Sequence, residues 1–427
     1  METEKILMGQ KQLQRWHLMK MVEVGKITLR EAGEKIGVSY RQAKRIRRAI
    51  RERGIKGLVH GNRGQPSKRR IDDALREKVL ALSKGVYWGF NDTHFTEKLR
   101  ECEGMVLSRE TVRKLRRRVG IEPKRRRRVP GHRQRRERKA QEGAMVLWDG
   151  SPHHWLGPDQ PACCLMAAID DATGKLLVAR FFPFEGSSGY LWLLREVVKR
   201  YGIPLVMYHD RHGALHRNDS HWSLEEQLAG RQEPTQVGLA LEALGIESIA
   251  ALSPQAKGRI ERLFGTLQDR LIAELGLEGV QNLEEANRFL KVFISRFNRR
   301  FAVCPRESEK AWRMVPPGLD LDRMISFRYR SVVGNDNSVR IGGLILDLPP
   351  GPHRRSYAKA QVEVRQLLDG SWRVYYQDQI IAKHPSTKLR DPVRALKHSR
   401  RIKGAFPEQW VYWASAPPSQ APSAHGP

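Results

Sequence analysis

The chain has 427 residues, with 77 Lys and Arg against 47 Asp and Glu, a formal charge of +30 and a sequence pI near 10.4. That excess favours a polyanionic partner, nucleic acid ahead of an anionic membrane surface. No apolar run is long enough for a membrane span, and the opening METEKILMGQ is too polar for a secretory signal. Cys102, Cys163, Cys164 and Cys304 form no CxxC pair, which argues against a zinc knuckle or a disulfide framework and for a reducing cytosol. Two to four domains are expected at this length.

Within residues 1–56, ITLREAGEKIGVSYRQAKRIRRAI (27–50) carries a capping box, Thr28 with Glu31, and then Leu29, Ala32 and Ile36 on one face. Gly37 ends that helix. Ser39 caps the next, whose apolar side is Ala43, Ile46 and Ile50. Two short helices around a tight turn predict a helix-turn-helix. Its second helix offers Arg41, Gln42, Lys44, Arg45, Arg47 and Arg48 to base edges and phosphates. The plainer reading of the same residues is a helical hairpin with a solvated basic face. The stretch 57–70, GLVHGNRGQPSKRR, reads as an extended basic linker containing Arg63.

Residues 71–122 predict a second helical set that resembles another helix-turn-helix. Its last helix is capped by Ser108, carries the apolar Val112, Leu115 and Val119, and presents Arg113, Lys114 and Arg117. A dense basic linker follows at 123–142, including Arg125 and Arg126; residues 111–140 hold 15 Lys or Arg and two Glu. Such a block repels itself unless a polyanion neutralises it.

The pattern changes at Gly143. AMVLWDGS (144–151), ACCLMAAIDDATG (162–174) and KLLVARFFPF (175–184) predict three antiparallel strands, the tandem cysteines being buried thiols. A helix at 187–201 leads to a fourth strand, PLVMYHD (204–210), suited to parallel pairing with the first. A polar stretch at 212–234 is followed by a helix near 235–244, a strand at 247–252 and a helix at 257–274. This order predicts a mixed sheet with helices on its faces, as in a ribonuclease H-like fold. Ligand sites in such sheets gather at strand ends, where Asp149 and Asp210 become neighbours. Asp170 and Asp171 precede Ala-Thr-Gly and are expected to cap a turn.

WDGSPHHWL, VMYHDRHG and SPQAKGRIERLFGTLQDRL, in this order behind helix-turn-helix modules, resemble the three catalytic segments of the DDE integrase core of bacterial insertion-sequence transposases and retroviral integrases. The likeness covers roughly residues 20–385. It implies a metal-binding catalytic triad of Asp149, Asp210 and Glu261, two Mg2+ ions per site with Mn2+ able to substitute, and two in-line displacements at phosphorus. In the first, water frees a 3′-hydroxyl at a transposon end; in the second, that hydroxyl attacks target DNA. Lys257, Arg259 and Arg262 would then grip the strand being cut, although an i,i+4 pair between Lys257 and Glu261 explains those charges as well. The spacing from Asp210 to Glu261 is longer than is common in the family, and 212–234 would be the inserted loop.

The core is thus expected over 143–303. Strands at 325–331, 338–347, 358–368, 371–376 and 379–382 predict a small β-barrel within 320–385, and 386–427 reads as a basic, partly disordered tail. The whole is expected to be a multidomain α+β protein that acts in the bacterial cytoplasm on double-stranded DNA, transposon ends and target, as a homodimer or higher homo-oligomer. Two other functions fit the same sequence: a helix-turn-helix regulator without catalysis, and a ribonuclease H-like nuclease without strand transfer.

Overall fold

The computed structural model describes residues 8–59, 62, 70–124, 136–217, 222–251, 258–351 and 354–387. It divides into two compact units, residues 1–80 and 81–427.

In the first unit α1 (Gln10–Glu23), α2 (Leu29–Ile36) and α3 (Tyr40–Arg53) are followed by a 3₁₀ turn, Gly54–Leu58. The expected capping box is present: the Glu31 amide donates to Thr28 Oγ1 at 3.3 Å, and the Thr28 amide donates to the Glu31 carboxylate at 2.7 Å. Gly37 adopts a left-handed conformation (φ 73°), which lets Val38 N donate to Gly33 O and closes α2. Ser39 caps α3 through Gln42 N. Leu18, Met19, Ala32, Ala43, Ile46, Ile50 and Leu58 make the core. A side chain at Gly57 would collide with the Ala49 carbonyl, so only glycine permits the 3₁₀ turn to fold back on α3.

The helix α4 (Asp73–Lys84) crosses the division between the units. In the second unit it is followed by α5 (Asp92–Glu101) and α6 (Arg109–Arg118), and then by the sheet domain. Its strands β1 (Val146–His153), β2 (Cys163–Asp170), β3 (Leu176–Phe182), β4 (Val206–His209) and β5 (Glu247–Ala250) form one sheet in the order β3-β2-β1-β4-β5. The first three strands are antiparallel, whereas β1–β4 and β4–β5 are parallel. This is the mixed sheet expected from the sequence. The helix α7 (Ser187–Tyr201) makes the crossover to β4, and α8 (Leu224–Ala229) and α9 (Gln236–Ala243) precede β5. The short helix α8 was not expected; Ser223 and Glu226 form its capping box, and Arg217 pairs with Glu226.

Alternation along β1 separates two cores. Val146 and Trp148 join Tyr190, Leu194 and Leu241 on one face. Met145 and Leu147 join α10 (Gly258–Leu277) and α11 (Leu283–Phe301) on the other, through Ile260, Leu263, Phe264, Leu267 and Phe293. The edge strand β3 is clasped by α11: Asn287 accepts from and donates to the Phe181 backbone at 2.8 and 3.1 Å, and Asn298 does the same at Leu176, both at 2.8 Å. The spacings agree, because three helical turns and five strand residues both span about 16.5 Å. The clasp satisfies backbone groups that an edge strand otherwise presents to another chain.

On the outer side of α10 sits α5. Arg270 pairs with Glu97 at 2.6 Å, while Glu274 receives His94 at 3.0 Å and Lys98 at 3.2 Å. Asn91 donates to Asp269.

The expected C-terminal β-barrel is not formed. After α12 (Leu321–Met324) come β6 (Phe327–Val332), β7 (Ser338–Ile341), β8 (Leu344–Asp347), β9 (Gln361–Gln366), β10 (Trp372–Tyr376) and β11 (Gln379–His384). They make an open four-stranded sheet, β11-β10-β9-β6, and a separate pair, β7-β8. The cause lies in the stretch read as one strand over 338–347. Gly342 and Gly343 both have positive φ (58° and 92°), the requirement of a two-residue hairpin turn, so the chain folds back on itself and extends no larger sheet. Four strands with two free edges do not close. The Asp369-Gly370 turn between β9 and β10 is as expected, with Leu367 N donating to Ser371 O at 2.8 Å.

The clasp and the α5–α10 pairing each carry a consequence for stability. Asn298→Ala leaves the Leu176 amide and carbonyl without partners and is expected to destabilise the second unit by about 1–3 kcal/mol in urea unfolding. Burial raises the Glu274 pKa, but the hydrogen bond from His94 and the charge of Lys98 outweigh it and hold the carboxyl at about 2, below the ordinary 4.5. A depressed carboxylate contributes stability that is full above pH 4.5 and lost as pH falls toward 2. Acid titration of Glu274→Gln should therefore show a shallower loss across that window than the parent chain.

Candidate active site

The parallel pairing of β1 with β4 aligns Val146 with Met207 and Leu147 with Tyr208. Carried two residues further, the register sets Asp149 opposite Asp210, just past the last paired residues of β1 and β4, while β1 itself runs on along β2 to His153. Both are half-buried. Asp149 shares its side of β1 with Leu147 and Ser151, the side that α10 covers. The Asp210 carboxylate is oriented by its own loop: His212 N donates to Asp210 Oδ1 at 2.9 Å. His209, buried, pairs through Nε2 with Ser248 Oγ at 2.8 Å and so ties the end of β4 to β5.

On the other side of the sheet, Tyr190 of α7 is fully buried and donates its hydroxyl to Glu185 Oε1 at 2.5 Å. Burial first, then the charges of Glu185, Asp149 and Asp210, push its phenol far above the ordinary value, so it remains a donor. One phenol thus senses all three carboxylates. The Cys164 thiol is pushed up to about 12, chiefly by burial and then by Glu185, and burial raises Cys163 as well. These thiols stay protonated, in keeping with a packing role.

The helix α10 arrives from the side of β1 where the strand begins. Arg259 pairs with Asp171 Oδ1 at 2.5 Å and donates to the Arg136 carbonyl at 2.6 Å, and the Asp171 amide donates to Met145 O. Further along, Gln268 Nε2 donates to Ser151 Oγ at 3.3 Å. From that contact, seven residues back along the helix and three back along the strand each span about 10 Å. The first turn of α10, with Glu261, therefore lies level with Trp148 and Asp149. Its side chain, however, is exposed, since the inward face is taken by Ile260, Leu263, Phe264 and Leu267.

That geometry overturns the expected cofactor. Asp149, Asp210 and Glu261 do not make a two-Mg2+ site: among the described residues, no group of three or more His, Cys, Asp or Glu side chains is placed to hold a metal ion. The helical phase that buries Ile260 and Leu263 turns Glu261 outward.

The basic residues singled out in the sequence fall into distinct environments. In the first unit Arg41, Gln42, Lys44, Arg45 and Arg48 are exposed on α3, opposite its buried face, and Arg47 is half-buried; Arg48 pairs with Glu52 and Lys44 lies over the Tyr40 ring. On α6, Arg113 forms a two-pronged pair with Glu110 at 2.8 and 2.7 Å, and Lys114 lies 3.8 Å from the same carboxylate. Arg117 points inward to Asp92 and to the Ile121 carbonyl. Arg262 donates to Gly258 O of its own helix at 2.7 Å. Arg63, Arg125, Arg126 and Lys257 lie outside the described residues.

Sequence reasoning missed three residues here. Asp170 caps its turn as expected, through Thr173 and Gly143 N. Asp171, expected to do the same, is instead wholly buried as the shared partner of Arg136, Arg259 and the Lys139 amide. Glu185 and Tyr190 gave no motif; their one signal was a carboxylate at a strand-to-helix junction ahead of Gly186.

No family model matches the chain. A protein of Sinorhizobium fredii with the name "Putative transposase y4bF" is 37% identical over 319 residues, 75% of this chain and 68% of that protein. The transposase for insertion sequence IS1202 of Streptococcus pneumoniae is 34% identical over 318 residues, 66% of this chain and 67% of that one. Among solved structures, the chain is similar to one in the cryo-electron microscopy structure of the simian T-cell lymphotropic virus intasome in complex with the PP2A regulatory subunit B56 gamma, at 14% identity and a TM-score of 0.30, over 72% of this chain and 95% of that one. On the two sequence relationships, the chain belongs to the transposase family.

Proposed function

We propose that the chain is a DNA transposase of the insertion-sequence kind. It binds terminal inverted repeats, hydrolyses a phosphodiester to free a 3′-hydroxyl, and joins that hydroxyl to target DNA. Asp149, Asp210 and Glu261 are the carboxylates on which both displacements depend. The observation that carries this reading is the β1–β4 register, which, continued past the last paired residues, sets two aspartates side by side on adjacent parallel strands in a member of the transposase family.

In this reading α2 and α3 act as a helix-turn-helix, with Arg41, Gln42, Lys44 and Arg45 against the bases and phosphates of the major groove. The basic linkers track the DNA backbone, and α5 with α6 makes the second binding module. Two ends have to be held for joining, so the working form is a homo-oligomer on double-stranded DNA. No described helix is long and apolar enough to cross a membrane.

The test is cleavage and joining of DNA that carries the element's ends. Asp149→Asn, Asp210→Asn and Glu261→Gln should each lower the cleavage rate by about 100-fold or more while end binding, measured by gel shift, persists. Full cleavage by any of the three sinks that residue's assignment. End binding by the parent chain with no cleavage points to a regulator, and cleavage without joined products to a nuclease.

A further inference from the structure

Glu185 lies outside the three carboxylates, in the turn from β3 into α7, yet its carboxylate is built into the backbone of the strand that bears Asp149. A β-carbon added at Gly150 would stand 2.5 Å from Glu185 Oε2 and closer still to its Cδ, an approach no real side chain tolerates. The carboxyl group therefore occupies the space a side chain at position 150 would fill, directly after Asp149. Tyr190, fully buried, holds one Glu185 oxygen through its hydroxyl at 2.5 Å, and the ring of Tyr190 packs edge-on against Trp148 at 5.2 Å. On the far side, His212 Nδ1 lies 3.9 Å from the same oxygen. His212 is the residue whose amide orients Asp210, and Ala214 N donates to its ring at 3.2 Å. Glu185 thus lies against β1 at Gly150 and stands near the loop that follows β4 at His212, whose Nδ1 accepts from Ala214 N and makes no hydrogen bond to Glu185, while Tyr190 holds the carboxylate.

We propose that Glu185 is a positioning residue of the candidate site. Held by Tyr190, it braces β1 at Gly150 and the Asp210 loop at His212, and so sets the separation of the Asp149 and Asp210 carboxylates. A side chain at position 150 would have to displace the Glu185 carboxyl group. The inference rests on the reading of Asp149 and Asp210 as the reacting pair.

Small displacements of reacting groups cost up to about 100-fold in rate, so the effect belongs in the chemical step and not in DNA affinity. The full chain is assayed on end-containing DNA, with single-turnover cleavage rate and end affinity measured separately. Glu185→Gln keeps the shape and an acceptor for Tyr190 but removes the charge. The rate is expected to fall about tenfold or more at unchanged end affinity and unchanged thermal midpoint. Gly150→Ala should show the same split, because its new methyl group displaces Glu185. In the Glu185→Ala background, Gly150→Ala should add no further loss, the two changes acting on one space.

Parent-like rates for both Glu185→Gln and Glu185→Ala overturn the proposal. So does an equal cost of Gly150→Ala with and without Glu185, or a loss confined to end affinity. Asp149→Asn separates the two levels of argument. If it still cuts, the reading of the site fails and Glu185 falls with it; if it is silent while Glu185→Gln and Glu185→Ala both cut normally, only the role of Glu185 is lost.

Discussion

The parallel pairing of β1 with β4 is the constraint on which the rest of this site depends. It is fixed from both faces. Trp148 and Val146 are fully buried toward α7, and Leu147 is fully buried toward α10. A slip of one residue would drive Asp149 into the apolar core around Tyr190 and turn Trp148 toward α10. Burying an unpaired carboxylate costs far more than a shifted methyl group, so the apolar alternation of MVLW determines which way the aspartate faces. The position of Asp210 then follows from the register alone, although it lies 61 residues further along the chain.

The third element, α10, is held on two sides by different physics. Toward the sheet it is apolar, through Ile260, Leu263, Phe264, Leu267 and Leu271. Toward α5 it is charged, and the charges are partly buried: Arg270 with Glu97, and Glu274 with His94 and Lys98. Buried pairs recover little net stability once desolvation is counted, but a mismatched one is costly. The charged face therefore selects a single placement of α10 along its axis, and the apolar face supplies most of the adhesion. A third tie, Arg259 on Asp171, pins the start of the helix to the turn after β2 and to the incoming chain at Arg136.

What the sequence disclosed was whatever depends on local order. Periodicity located the five strands of the sheet and the helices between them except the short α8, and cap residues such as Thr28 with Glu31, Ser39 and Ser108 marked true helix starts. The C-terminal barrel failed because Gly342-Gly343 sits inside an otherwise strand-like run, and a pattern of alternating residues does not say that its middle reverses. The metal site failed for a related reason. The spacing of Glu261 from Ile260 and Leu263 fixes its helical phase, but the relation of that phase to Asp149 depends on how α10 rolls against the sheet. Glu185 was illegible because its meaning lies in a space left by a glycine 35 residues earlier.

The same distinction governs the positive charge. A net charge of +30 predicts a polyanion as partner, but it does not tell which cations meet it. Arg117 and Arg259 belong to a basic run and to the Glu261 segment, yet both are committed to aspartates inside the fold, Asp92 and Asp171. Removing either side chain would take one of two arginine partners from a part-buried or buried carboxylate, Arg116 remaining on Asp92 and Arg136 on Asp171, so its loss would register as altered folding before it registered as altered DNA affinity. On α3 the situation is reversed. Arg41, Gln42, Lys44 and Arg45 stand exposed, while Ala43, Ile46 and Ile50 alone hold the helix in place. On the proposed function, a change there leaves the core intact and acts on counterion release, where removing one phosphate-binding cation lowers the salt dependence of binding by about one unit of slope. Salt dependence, more than affinity at one ionic strength, would therefore separate cations that grip DNA from those that hold the protein together.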